Sequence, residues 1–433
     1  MAVLPADRPI RLVVRDPALE RSRLTVFFRW LLAIPVLVWL VLRGFAALVV
    51  AFVLWLAILI NGETPASLHD FVANYLRYWS HVTSYATLAA DPYPWFRASH
   101  EYPIDVEVPP AGRQSRWKTL FRLFLALPAL LLAAALGGTP SSGWQTEIGR
   151  GSSDSGWAAG ASVGGVAVVC AFLVWFAAVA RARAPRGLRD LIAYALSYGA
   201  QVGGYFLLLT DRYPTADPAQ AEPYAELPPH PVELRVDDPL ERSRLTVFFR
   251  LLLAIPQLIW LTLWAFAAFF AAVAAWFAAL VSGRVPSPLH RFLAAFLRYG
   301  THVYAYVTLV GARFPGFTGR EGSYGIDLRI APPERQSRWL TLFRLFLAIP
   351  AFFVSSALGS VLFVVAFLGW FYSLVTGRAC AGLRNLGAVC LRYSAQAEAY
   401  FLLVTPRYPF ASPLLEAPGP GQVGELTAPG EPS

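Results

Sequence analysis

A chain of 433 residues with 56% hydrophobic, 14% aromatic and only 15% charged side chains departs from soluble proteins, in which about a quarter of residues are charged. Such a composition must set apolar surface against lipid, which excludes an ordinary soluble globular protein. The net charge of +9 is carried by arginine, with Lys118 the single lysine; the arginines flank apolar runs, which points to anionic headgroups and orientation signals and away from nucleic acid.

The first 22 residues are charged and lack the apolar core of a signal peptide, so the first hydrophobic helix is expected to act as its own insertion signal. The chain then shows a short alternating segment, Ile10-Arg11-Leu12-Val13-Val14. A period of two with β-branched residues reads as a strand with one buried face. A box follows from Ser22 to Pro35: a Ser-Arg pair (Ser22, Arg23), a second arginine six residues on (Arg29), and a proline six after that. Ser22 is placed to cap the first helical turn, and Pro35 to kink the helix.

The apolar run reaches residue 60. As one helix it would measure about 55 Å at 1.5 Å per residue, against a hydrocarbon core of about 30 Å. A transmembrane hairpin is therefore expected, 22–43 with 44–60, both ends on one side. After the polar turn Asn61-Gly62-Glu63-Thr64-Pro65 comes a third helix. There Leu68, Phe71, Val72, Tyr75, Leu76, Trp79 and Val82 make a stripe opposite Asp70, Asn74, Arg77, His81 and Ser84. That spacing is amphipathic and suits the interface. The unit closes on Tyr93-Pro94.

The same plan recurs. Residues 9–96 align without a gap to 230–317, with Trp55 on Trp276 and His81 on His302, and residues 102–128 align to 324–350. Strand segments reappear at Ile104–Val108, Val232–Val236 and Ile326–Ile330, and boxes at Ser115–Pro128, Ser243–Pro256 and Ser337–Pro350. The order is A-B-A′-B′: repeat A at 1–100, B at 101–223, A′ at 224–319 and B′ at 320–410, with a Pro- and Gly-rich tail at 411–433 that reads as disordered. Repeat B carries a Gly/Ser-rich insertion at 137–162, whose backbone cannot sit in lipid and which is expected to grow from a surface loop. It marks the hairpin tip, and Trp264-Ala265 and Leu358-Gly359 are the corresponding points in A′ and B′.

With hairpins and non-crossing third helices, the outer tips hold only Arg43 and Arg150. Arg8, Arg11, Arg21, Arg23, Arg181, Arg183, Arg186, Arg189, Arg284, Arg378 and Arg384 share the other face. By the positive-inside rule that face is cytoplasmic, as are both termini. The fold class read from sequence is mainly α: a polytopic integral membrane protein of four repeats, each a short β-strand, a transmembrane helical hairpin and an amphipathic third helix, with a small cytoplasmic β layer and eight crossings.

The Ser-Arg box leading to Arg-x5-Pro, the hairpin, the Gly-Arg-like turn and the Tyr-Pro exit resemble an uncharacterised bacterial membrane family, domain of unknown function 4389, in tandem copies over nearly the whole chain. The resemblance implies a multi-pass protein of the bacterial cell (inner) membrane. It carries no catalytic residues to transfer.

Candidate chemistry centres on the arginines. Arg29, Arg122, Arg250 and Arg344 sit about two turns inside apolar helices, where a charge costs about 2.5 kcal/mol or more at the bilayer centre. They are expected to anchor the helix at headgroup depth. With Arg23, Arg116, Arg244 and Arg338 they also offer guanidinium forks for a phosphate or anionic-lipid site. Corresponding tyrosines (Tyr78, Tyr198, Tyr299, Tyr393 and Tyr85, Tyr205, Tyr306, Tyr400) read as an interfacial belt. His81 and His302 give way to Gln201 and Gln396, and no HExxH or i,i+4 histidine pair occurs, so no metal or other cofactor is expected. Cys170, Cys380 and Cys390 read as small buried hydrophobes. Glu398 is a lone acid in an apolar setting, expected to meet Arg392. Neither a P-loop, a GxGxxG after a strand, a GxSxG nor a repeated acid pair is present, and no enzyme is expected.

Two function classes follow. One is a non-enzymatic scaffold whose basic face docks anionic lipid or a cytoplasmic protein. The other is a transporter or channel with a path between the two halves, for which a shared cavity lined by Arg29, Arg250 and Glu398 would speak.

Overall fold

The computed structural model describes residues 10–15, 19–137 and 165–415. Most of the Gly/Ser-rich insertion and all but the first residues of the C-terminal tail lie outside that range. The chain divides into two compact units, Met1–Ala216 and Asp217–Ser433. The first contains β1 (Arg11–Val14), α1 (Arg23–Phe27), α2 (Arg29–Asn61), α3 (Ala66–Ala86), β2 (Ile104–Glu107), α4 (Arg116–Leu120), α5 (Arg122–Gly137), α6 (Val166–Arg181) and α7 (Arg186–Phe206). The second contains β3 (Val232–Val236), α8 (Arg244–Phe248), α9 (Arg250–Ser282), α10 (Ser287–Val307), β4 (Ile326–Ile330), α11 (Arg338–Leu342), α12 (Arg344–Thr376) and α13 (Ala381–Phe401). The fold is mainly helical, with four repeated strand-and-helix units.

The four strands form two antiparallel pairs. β1 pairs with β2, setting Leu12 opposite Val106, and β3 with β4, setting Leu234 opposite Leu328. All four of these side chains are buried, as the alternation requires. A two-stranded ribbon is marginal by itself, and each strand rests on the third helix of the other repeat in its unit. Asp105 of β2 meets His81 of α3, and Ile10 at the head of β1 packs where Gly204 of α7 leaves no room for a Cβ.

In A, A′ and B′ the expected hairpins are not formed; the tip expected in B lies outside the described residues. α2, α9 and α12 are each one unbroken helix of 33 residues, about 50 Å long at 1.5 Å per residue. Gly44 stays helical, facing the Tyr75 ring. A helix stops where a left-handed residue can cap it, and the chain reaches that point only at Gly62, Gly283 and Gly377, with φ of 74°, 70° and 72°. A glycine in the interior costs only about 1 kcal/mol, too little to break a run that keeps every backbone group paired. In repeat B the same length is split into α5 and α6, 16 residues each, on either side of the insertion.

The box also differs in detail. Ser22 occupies the N-cap position, but its hydroxyl caps nothing. The helix runs on through Pro35 and is interrupted seven residues earlier, at Phe28 (φ −90°, ψ 7°).

The two repeats of a unit hold each other by one contact used four times. The indole N–H of Trp55 donates to Thr119 O at 3.0 Å, Trp175 to Val26 O at 3.1 Å, Trp276 to Thr341 O at 3.0 Å and Trp370 to Val247 O at 3.2 Å. The C-terminal half of each long helix, and α6 in repeat B, thereby carries the box of the other repeat.

The third helices are 21 residues each. Asp70 and Asn74 of α3 are exposed as expected, but the C-terminal half of the helix is covered on both faces. Val82 and Tyr78 pack on Val36 and Leu40 of α2, while His81 and Ser84, expected on a wet face, are buried.

Candidate functional site

Every third helix ends in the same strained turn. Leu88, Leu208, Leu309 and Leu403 are left-handed, with φ of 61°, 65°, 65° and 60°, a conformation that costs a side-chain-bearing residue about 1–2 kcal/mol. The turn aims the last helical carbonyls and those of the exit loop at one point, and a helix C-terminus is the negative end of its dipole. The inner arginine of each box sits at that point.

Arg29 donates to Tyr85 O at 3.0 Å and Ala90 O at 2.7 Å, and pairs with the Asp91 carboxylate. Arg122 donates to Tyr205 O at 2.8 Å and Thr210 O at 2.9 Å, and pairs with Asp211. Arg250 reaches Gly311 O at 3.0 Å and Ala312 O at 2.9 Å, and Arg344 reaches Tyr400 O at 2.8 Å and Thr405 O at 3.3 Å. Each guanidinium also lies over a ring, Tyr85, Tyr205, Tyr306 or Tyr400, at 4.3–4.7 Å from the centroid. All four arginines are at most 3% exposed. The tyrosines are buried under these cations instead of forming a belt.

The outer arginines behave differently. Arg23, Arg116, Arg244 and Arg338 are exposed. Arg23 donates to Ala180 O near the end of α6, and Arg244 to Val375 O near the end of α12. The sequence reading therefore grouped two kinds of site. The inner arginines are buried on carbonyls and, in A and B, on a carboxylate as well, and the outer ones keep a face toward the surroundings.

A second ring of donors was missed. Eight residues before the inner arginine stand Arg21, Gln114, Arg242 and Gln336. Arg21 donates to Ala89 O, Gln114 to Leu208 O, Arg242 to Val310 O and Gln336 to Leu403 O. The signal was present in the four copies: the position alternates between Arg and Gln, two side chains that share only long reach and N–H donors.

On the strand side, His81 Nε2 lies 3.2 Å from Asp105 Oδ1, and Arg77 is 3.1 Å from the same carboxylate. Burial alone would raise the Asp105 carboxyl, but the His81 hydrogen bond and the Arg77 guanidinium hold it below the ordinary value. His302 and Asp327 repeat the pair at 2.7 Å. Gln396 instead donates to Val232 O. Ser84 is near His81, yet it is buried and its hydroxyl donates to His81 O, so it presents no nucleophile to a substrate. No group of three His, Cys, Asp or Glu arranged to hold a metal occurs among the described residues.

The expected meeting of Glu398 and Arg392 does not occur. Arg392 is the counterpart of Arg298, which pairs with Asp327; on β3 the acid is Glu233, which is exposed, and Arg392 donates to Ser412 O instead. Glu398 is half-buried near Tyr304, and loss of hydration pushes its carboxyl up to about 7. A cavity of about 540 Å³ lies beside β3 and α13, lined by His230, Glu233, Arg235, Arg392 and Gln396 among others. No inner box arginine lines it.

Compared with protein-family models, the chain matches DUF4389, a domain of unknown function, over residues 23–98, 156–216, 244–318 and 338–412. No curated protein and no solved structure matches it.

Proposed function

The chain belongs to the DUF4389 family, and from that premise we propose that it is a membrane-embedded, non-enzymatic scaffold whose exposed box arginines bind anionic lipid headgroups. The observation that carries this reading is the division of labour among the arginines. Arg29, Arg122, Arg250 and Arg344 are buried against the third-helix ends, on carbonyls and, for the first two, on Asp91 and Asp211, whereas Arg23, Arg116, Arg244 and Arg338 stand exposed beside apolar helix faces. Those faces are extensive. Val38, Val41, Phe45, Leu48, Val49, Phe52 and Ile60 are all exposed along α2, and α2, α9 and α12 are long and apolar enough to cross a membrane. A guanidinium at such a rim meets phosphate oxygens with a matching fork.

A transport path would need Arg29, Arg250 and Glu398 to face open space. Arg29 and Arg250 are sealed against their own repeats, which favours the scaffold. The lipid reading is tested with the purified protein on vesicles of phosphatidylcholine with and without phosphatidylglycerol. Replacing Arg23, Arg116, Arg244 and Arg338 together by glutamine should abolish the preference for the anionic vesicles. An undiminished preference would dismiss the reading.

A further inference from the structure

The long helices are usually read as crossing a bilayer, and their surroundings argue otherwise. In the first unit α2 runs antiparallel to α3: Arg29 meets Tyr85, Val36 and Leu40 pack on Val82 and Tyr78, and Gly44 faces Tyr75. The other sides of that same stretch of α3 carry the strand pair. Arg77 and His81 hold Asp105 of β2, Arg15 reaches the same carboxylate at 3.5 Å, and Leu76 packs with Ile10 at Gly204. The ribbon therefore lies level with Val36 to Gly44, about 10–22 Å along α2 from Arg29 at 1.5 Å per residue.

The second unit repeats the arrangement. Tyr299 of α10 donates to Gln257 O of α9 at 3.2 Å and packs on Trp264. The adjacent Arg298 donates to Leu328 O of β4 at 2.9 Å.

Were α2 or α9 upright, a two-stranded ribbon with open edges and ionised Asp105, Arg77 and Arg15 would stand at hydrocarbon depth. Each unpaired backbone group there costs several kcal/mol, and open sheet edges facing lipid do not occur. Arg43, held over the Tyr78 ring at 5.0 Å, would sit near the bilayer centre. The end of α5 at Gly137, about 22 Å along from Arg122 at 1.5 Å per residue, would also stand at mid-depth.

We propose that the long helices lie in the plane of the membrane, their exposed apolar arcs sunk in one leaflet and the strand pairs facing water. The dimensions agree: a helix about 10–12 Å across fits a leaflet of about 15 Å, half of a hydrocarbon core of about 30 Å. The occupant of the apolar face is thus a single lipid leaflet, and the protein is embedded from one side. Both ends of each long helix, with their exposed arginines, then meet the same layer of headgroups. This inference rests on the membrane reading above and goes beyond it, because it replaces crossings with one-sided insertion.

The test uses the full chain in a Cys380→Ser background, with single cysteines at the two ends of α2 and α9, Glu63→Cys with Pro92→Cys and Arg284→Cys with Arg313→Cys, and Ser153→Cys in the insertion. A membrane-impermeant maleimide is applied to sealed vesicles of each orientation. All five positions should label from the same side. Labelling of Glu63→Cys and Pro92→Cys, or of Arg284→Cys and Arg313→Cys, from opposite sides would overturn the inference in favour of a crossing helix. Labelling of Ser153→Cys alone from the far side would overturn it in favour of a hairpin. Release of the protein from membranes by alkaline carbonate would instead defeat the membrane reading itself, a failure the labelling pattern cannot produce.

Discussion

Arg29 binds Tyr85 twice over, donating to its main-chain carbonyl at 3.0 Å while its guanidinium lies 4.3 Å from the centre of the same residue's ring. One side chain thus neutralises a helix C-terminus and fills the space above its last aromatic. Arg122 with Tyr205 and Arg344 with Tyr400 repeat the pairing in B and B′. In A′ the Arg250 fork has slipped to Gly311 and Ala312 while keeping its ring, Tyr306.

Removing Arg344 orphans the Thr405 carbonyl at a strained turn and leaves that of Tyr400 only the Leu403 N–H at 3.3 Å. Arg344→Ala should lower stability by about 1–3 kcal/mol for each acceptor left unpaired, read as a fall in melting temperature in detergent. Arg338→Ala, at an exposed position, should change it by less than about 0.5 kcal/mol. Equal effects at the two sites would contradict the clamp.

Trp55→Phe keeps an aromatic ring but deletes the pyrrole part of the indole with the N–H that reaches Thr119 O. The loss should be at least about 1 kcal/mol, the net worth of one hydrogen bond, and Trp276→Phe should match it because Thr341 O is held the same way. Denaturation of the two variants side by side checks the equivalence.

Glu398 gives a pH signature. Its carboxyl is raised from 4.5 to about 7 by desolvation, so the folded state holds its proton more tightly than the unfolded chain does. The contribution is fully present below pH 4.5 and is lost as pH rises through about 7. Melting temperature should therefore fall between pH 5 and pH 8, and Glu398→Gln should flatten that limb.

His230 acts in the opposite direction. Burial lowers its imidazole from 6.5 to about 4, so protonation favours the unfolded chain. Its contribution is complete above pH 6.5 and is lost as pH falls toward about 4. His230→Gln should reduce the acid-side slope in that window, measured by denaturation between pH 4 and pH 7.

The strands were legible because alternation is local: the segments at residue 10, 104, 232 and 326 became β1 to β4 within a residue or so of their expected ends. The repeat order and the start of each box were legible for the same reason. Hairpins were inferred from length against bilayer thickness, which presumes an upright helix. Gly44 and Leu358-Gly359 carry no local signal strong enough to overrule that presumption or to support it.

By itself, then, the sequence determined the fourfold repeat, the strand and third-helix positions, and the apolar character of what lies between them, since periodicity and composition act over a few neighbouring residues. Only the tertiary structure decided what the arginines do. Arg29 and Tyr85 are 56 residues apart, and whether a guanidinium in an apolar helix seeks a phosphate, a carboxylate or a carbonyl depends on what the fold brings within 3 Å. In each repeat it is chiefly the end of the third helix, because the last carbonyls and those of the exit turn form the negative end of the helix dipole there.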